Sequence, residues 1–285
     1  MNEVEETFEQ KMRRSFAAIQ GIEIPKMPKD IIELDKEINA RYPNTINMVD
    51  IISGNTILAA ELLKLANLPT MRQANPIVSI SQAVTALGTK KLKNLLLSAA
   101  LKELMGTQEL VQDIMEHAID VALCAAELAH NVQGIDPDEA YVCGLFHNCG
   151  AILLAMKDEA GYQKIFRESH THPLLSIEKE EALCNTNHTL TGVLLAKKWK
   201  LAESVIQTIY YHHEVDCTVI EDDHVRLLVA LLKVSNGIVA EISLGSYIGA
   251  EMHQYIDKGM DTLLLQPEHL RDARIMLQSR QLGLA

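Results

Sequence analysis

The sequence predicts an all-α protein built as two helical lobes, and three observations lead there. Hydrophobic residues make up 48% of the chain but aromatics only 4%. The core must therefore come from Leu, Ile, Val, Ala and Met, which suits packed helices better than a β-sandwich. Apolar residues recur with a 3.6-residue period almost throughout, and strand-like alternation is scarce. All 11 histidines lie after residue 110, which separates a packing or recognition half from a half able to do chemistry. Residues 1–107 are expected to form a small helical bundle. Residues 108–285 are expected to form a second bundle with a C-terminal helical extension, joined closely through Gly106-Thr107.

The elements follow in order. Residues 5–20 read as a polar lead-in helix, broken by Gly21, Pro25 and Pro28. Asp30 is placed as the N-cap of a helix running to Ala40, and Thr45 as the cap of one carrying Ile46, Val49, Ile51 and Ile52. Ile57, Leu58, Leu62, Leu65 and Ala66 then fall on one stripe. Asn67, Pro69 and Asn75-Pro76 mark a loop. Ser79 starts a helix that Gly88 ends as a C-cap, and a longer apolar helix runs from Lys91 to Leu104. The second half opens with Leu110–His130. Helices near 138–157, 174–184, 187–199, 202–213 and 223–243 follow, with Asp136-Pro137 opening the first of them and Pro267 starting a last amphipathic segment.

Charge and motifs exclude several functions. A net charge of −12 repels phosphate backbones, and the basic run Lys90-Lys91-Leu92-Lys93 is too short to override it, so no nucleic-acid partner is expected. Five cysteines without a C-x-x-C pair read as buried thiols in a reducing cytosol. Glu3, Glu5 and Glu6 precede no apolar run, and no stretch approaches the roughly 18 uninterrupted apolar residues of a spanning helix. A cytoplasmic chain without a membrane segment is the expectation. Phosphate-cradling loops, H-E-x-x-H and G-x-S-x-G are missing from the sequence.

Four histidine positions sit on apolar helical stripes. His117 shares a face with Val121, Cys124 and Leu128. His147, followed by Asn148, lies beside Cys143, Ala151 and Leu154. His188 aligns with Thr191, Gly192, Leu195 and Trp199, and His213, in the run His212-His213-Glu214, aligns with Ile206, Ile209 and Tyr210. Singly, each reads as a core histidine satisfied by backbone. Together, imidazoles on successive helices of one bundle are a way to build a metal site.

The order His117, His147-Asn148-Cys149-Gly150, His188 with Thr191-Gly192, then Tyr211-His212-His213-Glu214 resembles the metal-dependent HD phosphohydrolases. The first half, with Ile24-Pro25-Lys26-Met27-Pro28, Leu62-Leu63-Lys64-Leu65-Ala66-Asn67 and Ser79 to Gly88, is similar to the HDOD family, a group implicated in bacterial signal transduction. The likeness covers roughly residues 20 to 240. Two departures shape what it implies. Asn148 stands where the enzymes carry Asp, and Asn236 stands near the expected closing Asp.

Losing two carboxylates removes charge that a pair of divalent ions needs. The resemblance therefore implies a non-catalytic signalling or protein-interaction module with a degenerate metal site drawn from His117, His147, Asn148, His188, His212, His213 and Asn236. The alternative is a metal-dependent phosphohydrolase acting on a nucleotide or cyclic dinucleotide, for which Asp113, Glu116 or Asp120 would have to supply charge. No cofactor is required; a single Zn²⁺, Ni²⁺ or Mn²⁺ on the histidines is the one candidate. An unidentified signalling protein is the expected partner, with Asn67 and Ser79 proposed at the contact surface.

Overall fold

The computed structural model describes residues 6–67, 76–104, 108–244 and 248–281, and every regular element among them is a helix. Expectations at Glu3, Glu5, Pro69, Asn75, Gly106-Thr107 and Gly245, and for the side chains of Ile57, Leu65 and Lys90, lie outside the described residues. The chain divides into two compact units, Lys26–Gly106 with Gln278–Ala285, and Met1–Pro25 with Thr107–Leu277.

The smaller unit holds α2 (Lys29–Ile38), α3 (Thr45–Gly54), α4 (Thr56–Ala66) and α5 (Ile80–Leu104), while α1 (Phe8–Ala18) belongs to the other. Ile31, Leu34, Met48, Ile52, Leu58 and Leu62 form its core, each almost fully buried. Two caps differ from the sequence reading. Asn44, not Thr45, caps α3 by accepting from the Ile46 N–H at 2.9 Å. Asp30 lies inside α2, where its Oδ2 accepts from Asn55 Nδ2 at 3.1 Å. Gly88 breaks α5 with φ 70° and ψ 174°, a left-handed conformation that favours glycine. Ser79 accepts from the Gln82 N–H at 3.2 Å at the start of α5.

The larger unit contains α1, α6 (Glu109–Ala129), α7 (Pro137–Phe146), α8 (Cys149–Lys157), α9 (Glu159–Ser169), α10 (Pro173–Cys184), α11 (His188–Lys198), α12 (Glu203–Tyr211), α13 (Asp223–Ser243) and α14 (Ala250–Leu263), and α15 (Arg271–Gln281) begins in it. Residues 1–25 thus group with the histidine half rather than with the first lobe. The cause is specific bonding. Arg14 reaches Glu181 and the Asn185 carbonyl, both at 2.5 Å. Ser15 and Thr186 hydroxyls, both buried, meet at 2.6 Å, and Trp199 Nε1 donates to the Pro25 carbonyl at 3.0 Å.

The single helix expected over 138–157 is two. Pro137–Lys157 is apolar enough to cross a membrane, yet 83% of its apolar window is buried inside the unit, and α7 stops at Phe146 before α8 starts at Cys149. Because this run is apolar nearly all round, periodicity carries no mark of the break; packing makes it. A Cβ on Gly150 would lie 2.0 Å from the His188 carbonyl oxygen and 2.3 Å from the Gly192 nitrogen, so α8 and α11 touch backbone to backbone. Also absent from the sequence reading is α9, a polar helix capped by Asp158, which accepts from the Gly161 N–H at 2.9 Å.

Gly150→Ala is expected to lower unfolding stability by about 1–3 kcal/mol through overpacking, measured by urea denaturation. An unchanged urea midpoint would show that the α8–α11 contact has slack.

Candidate metal centre

The break after α7 places His147 at a helix terminus with its ring turned into the unit. Its Nδ1 faces the Gly144 carbonyl at 2.6 Å. His212, at the end of α12, repeats the pattern, with Nδ1 2.8 Å from the Ile209 carbonyl. His188, at the start of α11, directs Nδ1 at Glu180 Oε2, 2.8 Å away. A carbonyl or carboxylate oxygen only accepts, so each Nδ1 carries the proton and each Nε2 presents a bare lone pair. Local backbone thus sets two of the tautomers and the Glu180 carboxylate the third, and all three residues line one cavity.

That cavity has a volume of about 30 Å³, room for about two waters or an ion with its ligands. All seven residues named from the sequence line it. The tight cluster is smaller. His188 Nε2 lies 3.1 Å from His212 Nε2 and 3.0 Å from His213 Nε2, and one nitrogen from each of the three fits within 4.8 Å. Two imidazole nitrogens on a tetrahedral zinc stand about 3.3 Å apart, so the trio needs only small shifts to hold one ion. Opposed lone pairs at 3.1 Å repel unless a proton or cation lies between them.

The other named residues play different parts. His147 is the next ring out, 5.2 Å centroid to centroid from His212. Its buried Nε2 makes no hydrogen bond, although the nearby Asn236 amide favours its charged form slightly. Asn236 Oδ1 accepts from His117 Nε2 at 3.0 Å while its Nδ2 donates to the Leu232 carbonyl. The proton on His117 Nε2 directs that ring to Asn236, away from the trio. Asn148 is buried at the wall.

Asp113, Glu116 and Asp120 do not line the cavity, and Glu214 contributes instead to an open groove beside it. Asn67 and Ser79 belong to the smaller unit. The Asn67 amide braces its loop by accepting from the Ile77 N–H and donating to the Ile77 carbonyl, both at 2.8 Å.

Sequence reasoning missed four participants. Glu180, 1% exposed, is the one carboxylate among the described lining residues. It accepts from the Tyr162 hydroxyl at 2.5 Å and from the His188 N–H at 2.8 Å as well as from His188 Nδ1. Sitting inside the charged run Glu178-Lys179-Glu180-Glu181, it reads as a solvated helix face. His170 stacks edge-on against His117 with centroids 4.6 Å apart, and it ends the helix the sequence did not reveal. Tyr255 on α14 donates to the His212 carbonyl, and Lys233 on α13 donates to the Glu214 carbonyl, its ammonium 4.0 Å over the Tyr255 ring. These two hold the turn carrying the histidine pair. Only their burial in helices far along the chain hides them from a motif search.

Burial dominates the electrostatics. It holds His147 down at about 4, the Gly144 carbonyl opposing the shift and the His188 charge adding to it. His117, His212 and His213 sit well below the ordinary histidine value, first by desolvation and then by the charge of neighbouring histidines. Desolvation also lowers Lys233 to about 8.

With this geometry established, comparison places the chain. The HDOD domain family model matches residues 24–215, and the chain belongs to that family. A HDOD domain protein of unknown function from Geobacter sulfurreducens aligns over 98% of this chain and 96% of its own, at 23% identity and a TM-score of 0.68. A provisionally named metal-dependent phosphohydrolase from Shewanella amazonensis SB2B covers 95% and 98%, at 19% identity and 0.68. A provisionally named signal transduction protein from Marinobacter aquaeolei VT8 covers 97% and 64%, at 19% and 0.72. At these identities the likeness is one of fold. An uncharacterized Treponema pallidum (strain Nichols) protein is 28% identical over 196 residues, and this match spans 68% of the chain but 38% of that protein's length.

Two predictions follow from the buried rings. Each lowered histidine has a folded pKa below its unfolded one, so the unfolded chain binds the extra proton as pH falls. The stability they confer is complete above about 6.5, the unfolded value, and for His147 drains away toward about 4. In chelator-treated protein, urea stability should fall between pH 7 and pH 4.5 by up to about 1.4 kcal/mol per pH unit for each such proton. A flat profile would mean the rings take up protons as readily in the fold as in the unfolded chain. Separately, Tyr255→Phe should cost about 1–3 kcal/mol by leaving the buried His212 carbonyl unpaired, and a change within error would remove Tyr255 from the architecture of the turn.

Proposed function

We propose that this protein is a non-catalytic HDOD signalling module that acts by binding other proteins, and that its histidine cavity holds at most one borderline transition-metal ion. One observation carries the reading: the cavity's single carboxylate, Glu180, is already engaged by Tyr162 and twice by His188. Among the described lining residues no other anionic oxygen is present to bridge or neutralise two hard ions. Neutral imidazoles supply lone pairs without charge, which suits Zn²⁺ or Ni²⁺ better than Mg²⁺ or Mn²⁺. His188, His212 and His213 would hold the ion. When bound it would supply Lewis acidity, and Glu180 would orient His188 behind it, as a carboxylate does behind many metal-bound histidines.

The family's place in signalling, the acidic net charge and the burial of the Pro137–Lys157 stretch favour a cytoplasmic protein with a protein partner over one that engages nucleic acid or lipid.

The test is elemental analysis after chelation and incubation with Zn²⁺, Ni²⁺ and Mn²⁺, together with a hydrolysis screen on nucleotides and cyclic dinucleotides. We expect up to one Zn²⁺ or Ni²⁺ per chain, abolished by His188→Ala, with no turnover. The double change Asn148→Asp, Asn236→Asp should raise Mn²⁺ affinity at least about tenfold, because it restores two charges. Stoichiometric Mn²⁺ with turnover in the unmodified protein would establish the phosphohydrolase reading instead.

A further inference from the structure

Beside the cavity, within the same unit, runs an open groove of about 400 Å³ between α10 and the last turn of α12, a size in the range of ligand sites. Its apolar lining comes from Ile177, Leu190 and the rings of Tyr210 and Tyr211, which stack edge-on with centroids 4.8 Å apart. The rim is acidic. Arg14 engages Glu181, and Glu178 and Glu214 also line the groove, with Lys11 the one cation among the described lining residues. Val215, 39% exposed, extends the apolar surface outward.

From this we infer that the groove docks an arginine-bearing, aliphatic segment of a partner protein. A guanidinium suits both features at once, because it lies flat on tyrosine rings and pairs with carboxylates. A nucleotide or other phosphate would meet the Glu178 and Glu214 carboxylates against a single ammonium, Lys11. The groove also has a direct line to the cavity. His213 lines both, and its Nε2 is 3.0 Å from His188 Nε2, while the adjacent Glu214 forms part of the rim. A segment that grips Glu214 therefore pulls on the residue next to a metal-binding ring, and binding at one site changes affinity at the other reciprocally. This coupling rests on the proposed metal reading; the docking does not.

The experiment is an amide-resonance titration of the full chain with an acetyl-capped Leu-Arg-Arg-Leu amide, repeated with its Leu-Glu-Glu-Leu counterpart. The basic peptide should shift Ile177, Leu190 and Val215, and the acidic one should not. Glu178→Lys should weaken binding about fivefold, while reversal of the exposed Glu33 in the other unit should leave it unchanged. Zn²⁺ loading, verified by elemental analysis, should change the peptide Kd by about fivefold or more. Equal binding of the two peptides, shifts confined elsewhere, or an equal loss from Glu33→Lys would overturn the docking site. An unchanged Kd in protein verified to hold Zn²⁺ would overturn the coupling alone. Protein that takes up no metal would overturn the coupling, leaving docking to be judged by the peptides.

Discussion

The arrangement of the larger unit turns on one buried carboxylate. Glu180 on α10 receives the Tyr162 hydroxyl from α9 and both the backbone N–H and the ring of His188 from α11. Burying a carboxylate this deeply is costly unless its lone pairs are satisfied, and here three donors converge on it. Those bonds fix where α11 starts, and so where the His188 ring points. Because α11 also lies backbone to backbone against α8 at Gly150, the same constraint sets the α7–α8 break and the direction of His147. Removing the carboxylate would therefore loosen three helices as well as one imidazole.

How much of this could be read beforehand varies with the physical signal involved. Helix class, the stripe through Leu58 and Leu62, the turn at Gly88 and the Asp136-Pro137 start follow from local chemistry that periodicity and capping record. The break at His147-Asn148 does not, because an all-apolar run has no face and the interruption comes from a distant backbone contact. Polar α9 carries too few apolar positions to announce itself. At the site, the seven residues marked by the histidine order all reach one cavity, yet their division of labour was invisible. Nothing in the spacing says that His117 turns to Asn236 while His188, His212 and His213 face one another. Glu180 was hidden for the opposite reason, since a charged run looks solvated until folding buries one member of it.

Asn148 and Asn236 line the cavity as neutral amides. Asn236 keeps the size of an aspartate and still accepts from His117, but it brings no negative charge. Imidazoles dominate the lining, and burial makes His117, His147, His212 and His213 resist protonation.

The family signature ends at residue 215, but the physical site does not. Lys233, Asn236 and Tyr255 come from α13 and α14, beyond that boundary; Lys233 and Tyr255 fasten the histidine turn, and Asn236 accepts from His117. On the ribosome, the imidazoles of the signature are therefore made well before the residues that hold them in register. The nascent chain carries an unfinished histidine turn until α14 and its Tyr255 emerge. In evolution the same separation lets α13 and α14 tune the centre while the recognisable motif stays unchanged.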